Sequence, residues 1–492
     1  MNDKETRALH RAEAWREELR KSKTAKERTS TPRVKMPELG PAYRITCNEE
    51  VNSGLTVEMA MTEATRCLDC PDPQCIHGCP VGIEIPTFIK YVEKGDFKAA
   101  ARTIKATSAL PAVCGRVCPQ EKQCESRCIY HAKMNKPAVA IGYLERFVAD
   151  TERENGTAET PETAPANGKK IAVVGSGPAG LAFAGDMAKL GYDVTVYEAL
   201  HEIGGVLKYG IPEFRLPNHI VDVEIEGLRK MGVKFETNCI IGKTISYDDL
   251  HEMGVKGIFV ASGAGLPRFM NIPGENLNGV MSSNEFLTRV NLMGATHKED
   301  DTPVLRGDNV AVIGGGNTAM DSVRTARRMG ASNVMLVYRR SEEEMPARLE
   351  EVGHAKEEGV HFMTLHNPVE YKGDEKGHVR TMLVQRMELG EPDASGRRSP
   401  VPVEGAIEEV PVDLVIVSVG VSPNPLIPHA IPQLEVSRRG TIVVDEESMR
   451  SSLPDLYAGG DIVRGGATVI LAMGDGRRAA AHMHEALSQT EA

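Results

Sequence analysis

The sequence predicts a multidomain fold, with an N-terminal α-helical, cysteine-rich domain ahead of two intertwined α/β Rossmann-like domains. Three observations predict it. Nine of the ten cysteines lie between positions 47 and 128, among segments that read as helical, such as Ile85–Lys94 and 97–107. Two glycine loops, each between an apolar strand and a helix, follow at 175–180 and 314–319. A stretch that cannot bury a face, DTERENGTAETPETAPANG (150–168), separates the cysteine block from the loops.

Size and composition agree. A chain of 492 residues is too long for one ordinary core. Its 41% hydrophobic and 26% charged residues describe a globular protein. No apolar run is long enough to span a bilayer, and the start MNDKETRALH lacks a signal-peptide core, so a cytoplasmic location is expected, with no membrane partner. A net charge of −11 and a single tryptophan, Trp15, argue against nucleic-acid binding. Residues 1–35 are basic and helix-prone, with eleven Lys or Arg against six Asp or Glu. They read as a solvated arm, with partner docking the second reading. The expected divisions are this arm, a helical domain (36–149), the linker (150–168), a first nucleotide domain in two pieces (169–282 and 411–492) and a second inserted between them (283–410).

The cysteine block comes first. Its motifs are Cys67-x2-Cys70-x4-Cys75-x3-Cys79-Pro80 and Cys114-x3-Cys118-Pro119-x4-Cys124-x3-Cys128. In a reducing compartment such density means metal ligation rather than disulfides. Short gaps ending in Cys-Pro suit two [4Fe–4S] clusters, in which the last cysteine of a run serves the other cluster. Structural zinc, the alternative, favours paired CxxC or Cys with His, and here only one CxxC and one nearby histidine, His77, occur.

In the first glycine loop, Gly175 permits the tight turn, Gly177 lets backbone amides approach a pyrophosphate, and Gly180 lets helix and strand pack closely. Glu198, 18 residues after Gly180, ends the next strand and can accept from ribose hydroxyls. Near the C-terminus, Tyr-Ala-Gly-Gly-Asp ends in Gly460 and Asp461, suited to a ribityl hydroxyl. The following 465–469 segment, with Thr468, and a helix over 470–487 can present amides to an isoalloxazine. This site therefore reads as FAD-binding. In the second loop Gly314, Gly316, Asn317, Thr318 and Ala319 repeat the fingerprint. The next strand ends in Arg339 and Arg340 rather than an acid, which suits a 2′-phosphate and so NADP(H).

No cysteine pair follows residue 128, so a dithiol outlet is absent. A flavin placed between a two-electron hydride donor and one-electron clusters makes the set coherent, with no acid–base residue needed. The whole is an iron–sulfur domain followed by FAD- and NADPH-binding domains.

Cys67–Pro80, CGRVCPQEKQCESRC, AIGYLERF, VVGSGPAGLAFA, GGVLKYGIPEFRLP, VIGGGNTAMD, VYRRSEEEMPA and YAGGD together resemble the glutamate synthase small (β) subunit family. That family includes the large subunit of NADH-dependent ferredoxin:NADP oxidoreductase and the reductase part of dihydropyrimidine dehydrogenase. The resemblance covers nearly all of the chain from about residue 36. It implies one cluster on Cys67, Cys70, Cys75 and Cys128, and another on Cys79, Cys118 and Cys124 with Glu145 as fourth ligand, where spacing alone would choose Cys114. It also implies FAD contacts from Gly205 and Arg215. Cys47 and Cys239 read as buried thiols. The chain has no room for a glutaminase or an FMN barrel. The implied role is an NADPH-oxidising electron-input subunit serving a large FMN-containing glutamate synthase subunit. The alternative is the bifurcating enzyme's large subunit, whose partners are a small flavin/[2Fe–2S] subunit and ferredoxin. A third reading is a non-catalytic electron-transfer module, against which the intact second loop and Arg339 and Arg340 speak.

Overall fold

A computed structural model describes residues 3–296, 301–394 and 396–489. Residues 1–2 of the expected arm and 490–492 of the expected C-terminal piece lie outside these.

The N-terminal part is helical among the described residues as far as Glu154. The helix-prone arm forms three helices, Asp3–Arg11, Ala14–Ser22 and Ala25–Ser30, but instead of being solvated it is anchored by its arginines. Arg16 and Arg20 both pair with Asp69, which is fully buried. Arg28 pairs with buried Glu93 at 2.8 Å. A buried carboxylate needs a cationic partner, and this basic segment supplies it. The start of the expected linker also differs. Its first residues complete the helix Ile141–Glu154, where Asp150 collects Arg116, Arg146 and Arg153. The rest lies as a strap along the first nucleotide domain, with the Ala164 amide donating to the Lys189 carbonyl and the Asn167 amide to that of Gly191.

Two five-stranded parallel sheets follow. The first runs Leu456–Ala458, Val255–Val260, Lys170–Val174, Asp193–Tyr197, Lys234–Glu236. The second runs Val280–Ser282, Leu414–Val417, Asn309–Ile313, Asn333–Tyr338, His361–Thr364. Both strands next to a glycine loop are apolar and buried on both faces, as a covered parallel sheet requires. The second sheet moves the expected boundaries. Val280–Ser282 and Leu414–Val417, assigned from sequence to the first nucleotide domain, pair here instead. A buried run shows that a strand exists but not which sheet it joins. The chain crosses between sheets at Leu266–Pro267 and returns at Val421–Ser422, and these two short strands pair antiparallel. A three-stranded antiparallel sheet (His366–Gly373, Val379–Pro392, Arg398–Pro411) lies on the second domain. One core packs the cysteine-domain helices against the first sheet's helices, so these two parts share their interior. No described helix is long and apolar enough to cross a membrane.

Candidate functional site: two dinucleotide loops and two thiol groups

The first loop is built from backbone. Gly175 has φ +101°, and a Cβ there would stand 2.5 Å from the Ala261 carbonyl oxygen. A Cβ on Gly180 would meet the Gly175 carbonyl oxygen at 2.1 Å, so only glycine lets the helix Pro178–Lys189 start this close to the strand. Gly177 is the N-cap, no side chain caps the helix, and a Cβ there would face open space. The result is a cradle of bare amides at a helix N-terminus, which fits a pyrophosphate. Glu198 is buried beside it. Its Oε2 accepts from the Ser176 amide (2.9 Å) and hydroxyl (2.5 Å), and its Oε1 from the Leu200 amide.

Distant residues complete this loop. Gly205 packs on Gly177, where a Cβ would come within 3.0 Å of Gly177 Cα. Gly460 packs on Ala179 at the start of the loop helix, which brings Asp461 to the same end. The final helix, Val469–Gln489, crosses the loop helix at Gly476, where a Cβ would meet the Ala179 carbonyl oxygen at 2.4 Å. Thr468 immediately precedes that helix. Sequence reasoning missed Asp475. This carboxylate is fully buried and accepts from the Gly460 amide (3.0 Å), from Arg464 Nε (2.7 Å) and from Arg478, so it fixes the Gly460–Asp461 turn. An Asp inside a helix carries no sequence signal for such a role.

Arg215 goes elsewhere. It is buried and pairs with Asp321 at 2.8 Å on the second domain's loop helix, with Glu351 at 3.6 Å. The structure does not bring it to the first loop. A buried guanidinium seeks the nearest buried carboxylates, and sequence alone did not show that these come from the other domain.

The second loop repeats the backbone logic. Gly314 has φ +142°, and a Cβ would lie 2.3 Å from the Ser418 carbonyl oxygen. Gly316 is an N-cap with no side-chain cap for the helix Asn317–Arg328, and Ala319 is fully buried. The Asn317 side chain accepts from the Arg348 amide at 2.9 Å, and the Thr318 carbonyl accepts from the Ser322 hydroxyl. The two arginines after the second strand separate. Arg339 is exposed and makes no ion pair among the described residues. Arg340 is only 6% exposed and donates to Asp393 (2.6 Å) and to the Arg398 carbonyl (2.8 Å) of the antiparallel sheet.

The cysteines form two electrostatic groups. Cys67, Cys70, Cys75 and Cys128 act on one another. Burial pushes the Cys67 thiol up to about 12, raises Cys70 and takes Cys75 well above its ordinary value, and neighbouring thiols add to the shifts of Cys70 and Cys75. Cys79, Cys114, Cys118 and Cys124 form the second group, with Glu145 among them. Burial raises Cys79 to about 11 and Glu145 to about 8. Glu145 Oε1 is buried with no partner among the described residues. Buried thiols and an orphaned carboxylate are donors awaiting positive charge, which fits iron ligation. The Cys114 thiol, free like the others, hydrogen-bonds with Cys118 and donates to Met473 Sδ at 3.5 Å. Among the described residues no three His, Cys, Asp or Glu side chains converge as ligands of one ion would. Cys239 is buried, as expected, whereas Cys47 is half-buried.

The second thiol group touches both nucleotide domains. Beyond the Cys114–Met473 contact, Pro80 lies against Gly474, and Gln123 reaches the Thr468 hydroxyl at 3.5 Å. On the other side Lys122 donates to the Pro346 (2.8 Å) and Ala347 (2.9 Å) carbonyls, and Arg348 to Gln120 Oε1 (2.9 Å).

Comparisons with known proteins identify the two parts of the chain. Residues 44–157 match the family of dihydropyrimidine dehydrogenase domain II, 4Fe–4S cluster, and residues 169–487 the pyridine nucleotide-disulphide oxidoreductase family. The glutamate synthase [NADPH] small chain of Azospirillum brasilense is 36% identical over 457 residues, covering 92% of this chain and 94% of that one. The protein of the same name from Escherichia coli (strain K12) is 37% identical over 437 residues, 88% and 92% of the two chains. The β subunit of Geobacter sulfurreducens NADPH-Fe(3+) oxidoreductase is 36% identical over 440 residues, but this chain covers only 64% of it. Among solved structures, Mycobacterium tuberculosis FprA in complex with NADPH superposes with a TM-score of 0.55 at 22% identity, over 67% of this chain and 86% of that one, and so shares the fold. Fold and loops define a pyridine-nucleotide oxidoreductase joined to a 4Fe–4S domain. Within that class, the chain belongs to the glutamate synthase small-chain family.

Proposed function

We propose that the chain takes reducing equivalents from NADPH and delivers them singly to a partner subunit that makes glutamate from glutamine and 2-oxoglutarate. The first loop, with Glu198, Gly205, Asp461 and Thr468, would hold FAD. The second loop and Arg339 would hold NADP(H). Cys67, Cys70, Cys75 and Cys128 would ligate one [4Fe–4S] cluster, and Cys79, Cys118, Cys124 and Glu145 a second. When bound, FAD accepts electrons in pairs and clusters carry them one at a time, which is the conversion this role needs.

The observation that carries the reading is the seat of the second thiol group on the flavin end of the final helix, through Cys114–Met473 at 3.5 Å and Gln123–Thr468 at 3.5 Å. On this reading one thiol group would lie beside the flavin loop and the other beyond it, under the arginine-anchored N-terminal helices that reach Asp69 next to Cys70. That far face is where the partner would dock. Asp475 holds the Gly-Asp turn, while Lys122 and Arg348 hold the second domain against the same thiol group.

The test is anaerobic. Purified protein should contain about eight irons per FAD if each set of four ligands holds a four-iron cluster, and NADPH should bleach the flavin. Zinc in place of iron, or no bleaching, overturns the proposal. Isolation of the native complex identifies the partner, and a glutamate-forming FMN protein is the expected result. A small flavin/[2Fe–2S] subunit coupled to ferredoxin would replace that partner assignment with the bifurcating one.

A further inference from the structure

A cavity of about 220 Å³ lies where the cysteine domain meets the first nucleotide domain, away from both loops. Its walls are the helices Phe97–Lys105, Pro111–Val117 and Ile141–Glu154 on one side and Pro178–Lys189 and Asn218–Lys230 on the other, with the 158–161 strap at its mouth. The gap exists because the facing residues are small, Ala109, Ala112, Ala149, Gly185 and Gly227 among them. A Cβ on Gly227 would meet nothing within 4 Å, so that glycine faces open space.

Small residues alone make a void, but here the void contains polar groups. The Ser108 side chain lines it, is 1% exposed, and its hydroxyl has no partner among the described residues. Buried hydroxyls are ordinarily bonded, so this one needs a partner from outside the chain. Glu224 also lines the cavity. One of its carboxylate oxygens accepts from the Ala112 amide at 2.7 Å, and the other takes no donor among the described residues. Of the cations at the rim, Lys105 is engaged by Glu152, Arg153 by Asp150 and Glu154, and Lys189 by Asp186, while Lys230 is exposed and makes no ion pair among the described residues. Inside the cavity the Glu224 carboxylate disfavours an anion beside it. The complement is an apolar body with a neutral head that donates to Glu224 and bonds to the Ser108 hydroxyl.

We propose that this cavity is a binding site for a small carboxamide with an aromatic or branched apolar body. The amide N–H meets Glu224, the amide oxygen accepts from Ser108, and the body fills the space over Gly227. This site does not depend on the cofactor assignments above.

Benzamide is the probe, titrated into the full-length holoprotein by calorimetry. With about nine non-hydrogen atoms it should bind 1:1 with a Kd near or below about 1 mM. Gly227→Leu places a side chain in open space on a helix, and Leu is the better helix former, so the variant should fold and lose at least about tenfold in affinity. Ser108→Ala should weaken benzamide about tenfold while leaving toluene unaffected. Toluene and benzoate should both bind the parent protein more weakly than benzamide. Absence of saturable binding, or unchanged affinity in Gly227→Leu, overturns the site. Toluene or benzoate binding as tightly as benzamide overturns the ligand class, as does an undiminished affinity in Ser108→Ala.

Discussion

The two arginines after the second loop's strand look equivalent in sequence, yet the structure gives them different work. Arg339 is exposed and unpaired among the described residues, so its guanidinium is free for a 2′-phosphate. A charge-assisted, bidentate contact of this kind contributes about 1.5–3 kcal/mol. Arg339→Ala should therefore raise KM for NADPH about 10- to 150-fold and leave KM for NADH nearly unchanged. Arg340 is buried and occupied by Asp393 and the Arg398 carbonyl. Its Asp393 partner is 31% exposed, so the pair is partly screened. Arg340→Ala should lower stability by about 1 kcal/mol, a shift of roughly 2–4 °C in Tm, with little effect on nucleotide choice. The assay is steady-state reduction of an artificial one-electron acceptor with each nucleotide, alongside thermal melts of both variants. If Arg340→Ala raises KM for NADPH while Arg339→Ala does not, the assignment is refuted.

Other outcomes follow from the same geometry. Gly180→Ala would drive a Cβ to 2.1 Å from the Gly175 carbonyl oxygen, a backbone clash that cannot relax locally. The purified variant should lack FAD by absorbance, and a full FAD complement would remove the first loop from the site. Glu145→Ala should lose iron from one cluster, whereas Cys114→Ser should keep its full iron content. The reverse pattern would make Cys114 the eighth ligand. Acid should loosen the junction of the cysteine and second nucleotide domains, where Arg44 of the first pairs with Glu358 of the second at 2.9 Å. Burial alone would raise Glu351 and Glu358, but Arg324 for the first, and Arg328 with Arg324 for the second, outweigh it and hold both at about 2. The unfolded chain binds these protons from the ordinary value of 4.5 downward, so the stability they confer is full above that pH and is lost as pH falls towards about 2. Urea midpoints of Glu358→Gln should show a flatter acid slope than the parent, and equal slopes would contradict the pairing.

The glycine loops were legible because their chemistry is local: spacing, a flanking apolar strand and a following helix specify them wherever the sheet lies. The thiol motifs were legible as ligands for the same reason, although Glu145 became visible only through family resemblance, since a glutamate within a helix looks like any other. What sequence could not show was partnership across distance. Arg215 reads as a loop residue until Asp321 and Glu351 arrive from the second domain. The basic N-terminal residues read as solvated until Asp69 and Glu93 appear beneath them. Strands Val280–Ser282 and Leu414–Val417 were recognisable as apolar runs, but the sheet they join is decided by pairing partners more than a hundred residues apart along the chain. Asp475 and Met473 act where a helix crosses a turn, and no periodicity marks that crossing.

The paired crossings at Leu266–Pro267 and Val421–Ser422 carry one more consequence. Because Leu266 sits opposite Ser422, the intervening 267–421 segment begins and ends at one spot, like a cassette clipped into a frame. Removing it and rejoining the ends through a tight Gly-containing turn leaves every strand of the first sheet in place. Such a shortened chain should still assemble the flavin cradle and both thiol groups while being blind to nicotinamide nucleotides, so that chemical reductants alone could charge it.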